Sequence, residues 1–217
     1  MEKEMVIDLL LQAGSILALI FMFLFIFDIP RKTITKLSSY RNRANFQAKH
    51  HFVRGAQLLA QARSPSNSRS AATSLAKQAE EEAEKAISLD SKDAAAHILK
   101  ALALDVQGFK TSALDSFNVA LSPLAVKSLS EIEKGDALFK RAELRLRMNR
   151  RGQMDSVIED LSQAVKLSPD NALTFCLLGE CYEGKKMREE ATTAYEVALR
   201  LEPKLAAARE ALDRLNS

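Results

Sequence analysis

Three histidines, His50, His51 and His97, and two cysteines, Cys176 and Cys181, are the side chains of this 217-residue chain best suited to metal or nucleophilic chemistry. Their spacing does not favour either. Two cysteines five apart on a helix point to different faces, so a shared zinc is not expected, and three scattered histidines need further ligands to close a site. No glycine-rich phosphate loop, no His-Glu-x-x-His and no nucleophile elbow occurs. The acidic run Glu80, Glu81, Glu82 and Glu84 reads as a solvated helix face, not as a general acid/base pair. The sequence therefore predicts no catalysis, no cofactor and no metal centre.

The remaining chemistry is recognition by charge. Lys140, Arg141, Arg145 and Arg147 are the candidate partner-binding cations, because guanidinium and ammonium groups grip carboxylates. A second set, Arg31, Lys32, Lys36, Arg41 and Arg43, is the candidate for contact with anionic lipid. Residues 29–79 carry ten Lys or Arg and no acid, whereas residues 80–217 carry twenty cations and twenty-four acids. The basic excess is thus confined to one stretch, and nucleic acid is not the expected partner. The Ser-rich stretch Arg63–Ser74 reads as a flexible loop open to phosphorylation.

The elements that position these groups are helices. Only 7 Gly and 5 Pro punctuate the chain, and Ala, Leu, Glu, Lys, Arg and Gln dominate after residue 44. Residues 172–204 carry Phe175, Leu178, Gly179, Tyr182, Ala191, Tyr195, Ala198 and Pro203 at fixed intervals. The triad Ala191, Tyr195, Ala198 recurs 34 residues earlier as Val157, Leu161, Ala164, and Pro203 as Pro169. Ala113, Phe117, Ala120 likewise follows Ala79, Ala83, Ala86 by 34 residues. Small residues let two helices cross closely while bulky ones fill the space beside the crossing, and Pro203 is expected to open the next helix.

This pattern resembles the tetratricopeptide repeat (TPR), a hairpin of two antiparallel helices. The resemblance implies an all-α, TPR-type α-solenoid of about four hairpins. Its repeats fall at about 44–91, 92–125, 133–170 and 171–204, with a capping helix at 205–216. It places His97 at the aromatic position of the second repeat, where packing is its expected role. A ten-residue slip at Ser122–Asp136 and extra residues near Arg150–Gln153 are expected as longer loops. It also implies a groove that takes a protein or peptide, with Lys140 and Arg141 at groove-facing positions. The carboxylate clamp for heat-shock chaperone C-termini is not supported: Phe52, Ala56 and Leu99 stand where it needs Lys and Asn residues.

Ahead of the repeats, Leu9–Phe27 is a 19-residue run without charge, about 28 Å long as a helix and so near the thickness of a bilayer core. Residues 1–8 are acidic, residues 28–43 basic, and Pro30 is expected to stop the helix. The expectation is a single-pass transmembrane helix at 9–27. Cation asymmetry would put the repeats in the cytosol, and the apolar, Phe-rich anchor favours an endomembrane (ER or plasma membrane) over a mitochondrial or plastid surface. The expected function is a membrane-tethered scaffold or adaptor; an organelle import receptor and a structural subunit of a larger membrane complex are the alternatives.

Overall fold

The structure, a computed structural model, describes Gly14, Ile16, residues 29–148 and residues 152–216, with side chains at Gly14, Ile16, 43–148 and 152–215. Contacts divide the chain into two units, Met1–Gln47 and Ala48–Ser217. In the first, the described backbone is helical. The second is a stack of helical hairpins, and no strand occurs among the described residues.

The helices are α1 (Ile29–Ala62), α2 (Arg69–Leu89), α3 (Ala94–Gln107), α4 (Lys110–Ala120), α5 (Glu131–Met148), α6 (Met154–Leu167), α7 (Ala172–Gly184), α8 (Arg188–Leu201) and α9 (Ala206–Asn216). Local chemistry sets several of their ends. Ser68, Asp93 and Asn171 accept the backbone N–H of Ala71, Ala95 and Thr174 as N-caps. At α5, Glu133 accepts the Ser130 N–H (2.8 Å) while the Ser130 hydroxyl accepts the Glu133 N–H (3.3 Å), a reciprocal cap. Gly108 ends α3 at φ +90°, a left-handed conformation open to residues without a side chain.

Packing runs from each helix to the next. Leu59 of α1 meets Ala79 and Ala83 of α2 and Leu99 and Ala103 of α3. Ala101 and Leu104 of α3 meet Ala113 and Phe117 of α4 and Leu144 of α5. Leu161 of α6 joins Ala142 of α5 to Leu178 and Cys181 of α7, and Tyr195 of α8 joins Cys176 of α7 to Ala208 and Ala211 of α9. Tyr195, Phe117, Leu144 and Leu161 are essentially sealed from solvent, each worth about 1.5–3 kcal/mol of burial.

Several expectations need correcting. Among the described residues no helix is long and apolar enough to cross a membrane. The longest, α1, carries Arg31, Lys32, Lys36, Arg41, Arg43, Lys49 and Arg54, and charges of that number are too costly in hydrocarbon. The proposed span at 9–27 lies outside the described residues save Gly14 and Ile16. The single-pass membrane placement, with its cytosolic and endomembrane assignment, is withdrawn.

Pro30 is the second residue of α1 as described, where a missing N–H costs little, and the 9–27 helix it is expected to stop lies outside the described residues save Gly14 and Ile16. The Ser-rich stretch is a loop only over 63–68, because Ser68 caps α2 and Ser70–Ser74 are helical. Pro203 sits in the turn before α9, three residues short of its first residue. Residues 121–130 form a turn with a short 3-10 segment, Val126–Ser128. Its Ser128 hydroxyl accepts the Ala94 N–H (3.0 Å), and Ala125 and Leu129 pack near Ala94 and Ala120, so the extra length seals the start of α3.

Candidate functional site: an apolar groove across four helices

The first helix of each hairpin, α1, α3, α5 and α7, contributes one face to a groove of about 640 Å³. On α1 the face is Phe52, Ala56, Leu59 and Ala60, a helical stripe, and Arg63 follows in the turn after it. On α3 it is Ala95, Ile98, Leu99 and Leu102, and on α5 Glu133, Asp136, Ala137, Phe139 and Lys140. Leu129, Asn171 and Leu173 complete it. Close approach of α1 to its neighbours depends on Gly55: a Cβ there would stand 2.9 Å from the Leu99 side chain and 3.2 Å from the Ala79 carbonyl oxygen.

α3 and α5 run side by side in the same direction. Ser128, three residues before α5, bonds Ala94 at the start of α3, while Arg147 near the end of α5 pairs with Asp105 near the end of α3 (2.7 Å). The groove therefore has two distinct ends. Arg63, Lys140 and Arg147 gather around a smaller 170 Å³ hollow at the C-terminal end, with Asp105 and Glu143 among them. Glu133 and Asp136 flank the N-terminal end. Neither Arg63 nor Asp136, both exposed, forms an ion pair among the described residues.

The four candidate cations have separate fates. Lys140 lines the groove, bonds Glu143 at 3.0 Å and lies 5.0 Å from the centre of the Phe139 ring. Arg141 instead holds Asp160 of α6 through two bonds (2.9 and 2.6 Å) and reaches Asn118 of α4 at 3.1 Å. Arg145 bonds the same Asp160 carboxylate at 2.6 Å, and burial depresses its guanidinium while Asp160 opposes the shift. Arg147 is committed to Asp105. The buried Asp160 carboxylate draws Arg141 and Arg145 into the stack, while Lys140 and Arg147 stay about half exposed with one carboxylate partner each, and of the four Lys140 lines the groove. Asp160 sits on the buried stripe of Val157, Leu161 and Ala164, and that register could have flagged it from sequence.

Of the candidate lipid-contacting residues, Arg31, Lys32, Lys36 and Arg41 lie on the helical backbone of α1, and Arg43 is exposed on the same helix. The acidic run is not merely solvated: Glu80 accepts from Gln107 (2.7 Å), Glu84 from Lys100 (3.0 Å), and buried Glu82 from His51 (2.7 Å) and Lys85 (2.8 Å). His97 Nε2 donates to the Ser91 carbonyl (3.1 Å). Cys176 and Cys181 are buried in different clusters, and burial pushes their thiols up to about 11 and about 12. Among the described residues no group of three or more His, Cys, Asp or Glu could hold a metal.

Phe175, Tyr182, Tyr195, Ala191 and Ala198 all belong to the cluster shared by α7, α8 and α9, and Leu178 faces α6. The Tyr195 hydroxyl donates to Glu183 (3.1 Å), which Arg214 of α9 also binds (2.9 Å).

The tetratricopeptide-repeat family model matches residues 172–205. Solved structures share the fold. The crystal structure of MamA is 26% identical, with a TM-score of 0.51 over 61% of this chain and 71% of that one. YrrB, described as a TPR protein with an unusual peptide-binding site, is 21% identical, with a TM-score of 0.55 over 64% and 67%. Pseudomonas aeruginosa pilF is 19% identical, with a TM-score of 0.61 over 81% and 68%. Among curated proteins nothing matches the chain.

Proposed function

We propose that this stack of hairpins, with its tetratricopeptide repeat at 172–205, is a protein-binding scaffold that takes a segment of another polypeptide into the α1–α3–α5–α7 groove. The groove itself carries the reading. Leu59, Ile98, Leu99, Leu102 and Phe139 give it an apolar floor, with polar groups only toward its ends, and such a surface gains about 25 cal/mol for each Å² of apolar area removed from water. YrrB, which has the same fold and a peptide-binding site by description, supports this use of the architecture. Lys140 is the candidate cation left at the groove to meet a carboxylate.

A photo-crosslinking amino acid placed at Ala60, exposed inside the groove, or at Glu81, exposed on α2, tests the proposal in cells. Discrete adducts are expected from position 60 and not from position 81, and an added Ala60→Trp bulk beside a probe at Ala95 should abolish them. Equal adduct yields from both positions sink the groove as the binding surface.

A further inference from the structure

The two ends of the groove carry opposite charge, and this constrains what can lie in it. At the C-terminal end of α3 and α5, Arg63 is exposed and makes no ion pair among the described residues, and Lys140 is held only by a half-exposed Glu143. At the other end Asp136 is likewise exposed and without an ion pair. Beside it Glu133 is kept below the ordinary carboxylate range by the Ser130 N–H and hydroxyl, so it stays ionised. Between these ends the floor is apolar. On α5, Glu133 and Asp136 stand seven and four residues before Lys140, which sets the charge separation along that helix at about 6–10 Å, and Arg63 adds to the positive end from the turn after α1.

Resting on the groove as the binding surface, we propose that its occupant is a peptide segment with an apolar middle and opposite charges at its two ends. The acidic end lies against Arg63 and Lys140, and the basic end against Asp136 and Glu133. A uniformly acidic segment meets Asp136 and Glu133 with like charge, and a uniformly basic one meets Arg63 and Lys140. Both are disfavoured by the same electrostatic mismatch that lets interfaces reject wrong partners. Because the charges sit at the rim and not in the floor, they select orientation and partner more than they add affinity.

The probes are fluorescein-labelled synthetic peptides with one shared core, Leu-Ala-Ile-Leu-Ala-Leu. It is flanked by Glu pairs at both ends, by Lys pairs at both ends, or by one of each in either order. Fluorescence anisotropy with the full chain should show a mixed-flank peptide binding about three- to tenfold tighter than either uniform one, the range that rim charges supply. Arg63→Glu should shift the preference to the Lys-flanked peptide, and Asp136→Lys to the Glu-flanked one. Both sites are exposed and without an ion pair, so both variants keep the fold, which circular dichroism checks. Equal affinities for all the peptides, lost together on Ala60→Trp, overturn the charge polarity and leave the groove standing. No binding by any of them, or binding that Ala60→Trp does not touch, overturns both.

Discussion

The ring of Tyr195 presses on the backbone of Gly179: a Cβ at position 179 would lie 2.7 Å from the ring Cε1 and 2.8 Å from Cδ1. This contact locks α7 to α8 inside the one repeat that the family model recognises. The ring is fully buried and tied by its hydroxyl to Glu183, so it has nowhere to retreat.

Gly179→Ala is therefore expected to destabilise the stack by about 1–3 kcal/mol, as overpacking does in a filled core. Urea unfolding followed at 222 nm measures it. Gly184→Ala is the control, since its Cβ would meet nothing nearer than the Met154 Cε at 3.7 Å. That change should leave stability unchanged or raise it by up to about 1 kcal/mol through helix propensity. Equal losses at both positions would show that the Tyr195 contact is not the cause.

Removing the charge of Asp160 should cost more than removing an ordinary surface ion pair. Its side chain is 4% exposed and serves Arg141 and Arg145, which are themselves only 16% and 15% exposed. Asp160→Asn leaves two largely buried guanidiniums facing an amide, and a loss of about 2–4 kcal/mol is expected. A double-mutant cycle with Arg145→Met should return a coupling of at least about 1 kcal/mol. Additive losses would mean that the two side chains do not act on each other. Charge reversal at Arg141 is a poor probe of ligand binding for the same reason, since it attacks the stack.

The α1–α2 junction should weaken in acid. Burial of Glu82 opposes its ionisation, but the hydrogen bonds from His51 and Lys85 and the charges of Lys85 and Arg54 outweigh that and hold its carboxyl below the ordinary value of 4.5. A depressed folded-state value means the stabilisation is fully present above the unfolded value and is lost as pH falls through the folded one. Stability should thus decline once pH drops below about 4.5, and Glu82→Gln should flatten that part of the profile. A profile of unchanged slope in the variant would remove Glu82 from the account.

The thiols should be silent in the folded chain. With values of about 11 for Cys176 and about 12 for Cys181, about one part in a thousand or less is thiolate at pH 8, and both sulfurs are buried besides. Dithionitrobenzoate should release almost no colour in buffer and two equivalents in urea. Prompt native reaction of either thiol would contradict its placement.

The hairpin architecture was legible because small and bulky residues alternate at a helical interval, and Ala191, Tyr195 and Ala198 could not satisfy that interval as strand. Helix ends were less so. Ser70–Ser74 looked like loop by composition, yet Ser68 supplies the cap that lets them continue as helix. The groove was legible as a surface but not as a charge pattern. Lys140 and Arg141 are adjacent in sequence, and only the position of Asp160 on the next helix decides which of them turns inward. Arg63 and Asp136 stand 73 residues apart, and no spacing rule joins them before the helices are laid side by side.

Each hydrophobic cluster is shared by successive helices and reaches no farther, which gives the two cysteines different neighbours. Cys176 shares its cluster with Ala208 and Ala211 of α9, whereas Cys181 is closed in by Ala142, Val157 and Leu161 of α5 and α6. Detachment of α9 removes part of the cluster around the first sulfur, while α8 still contributes Ala191, Tyr195 and Ala198, and it leaves the cluster of the second intact. The two thiols therefore report on different hairpins of the stack.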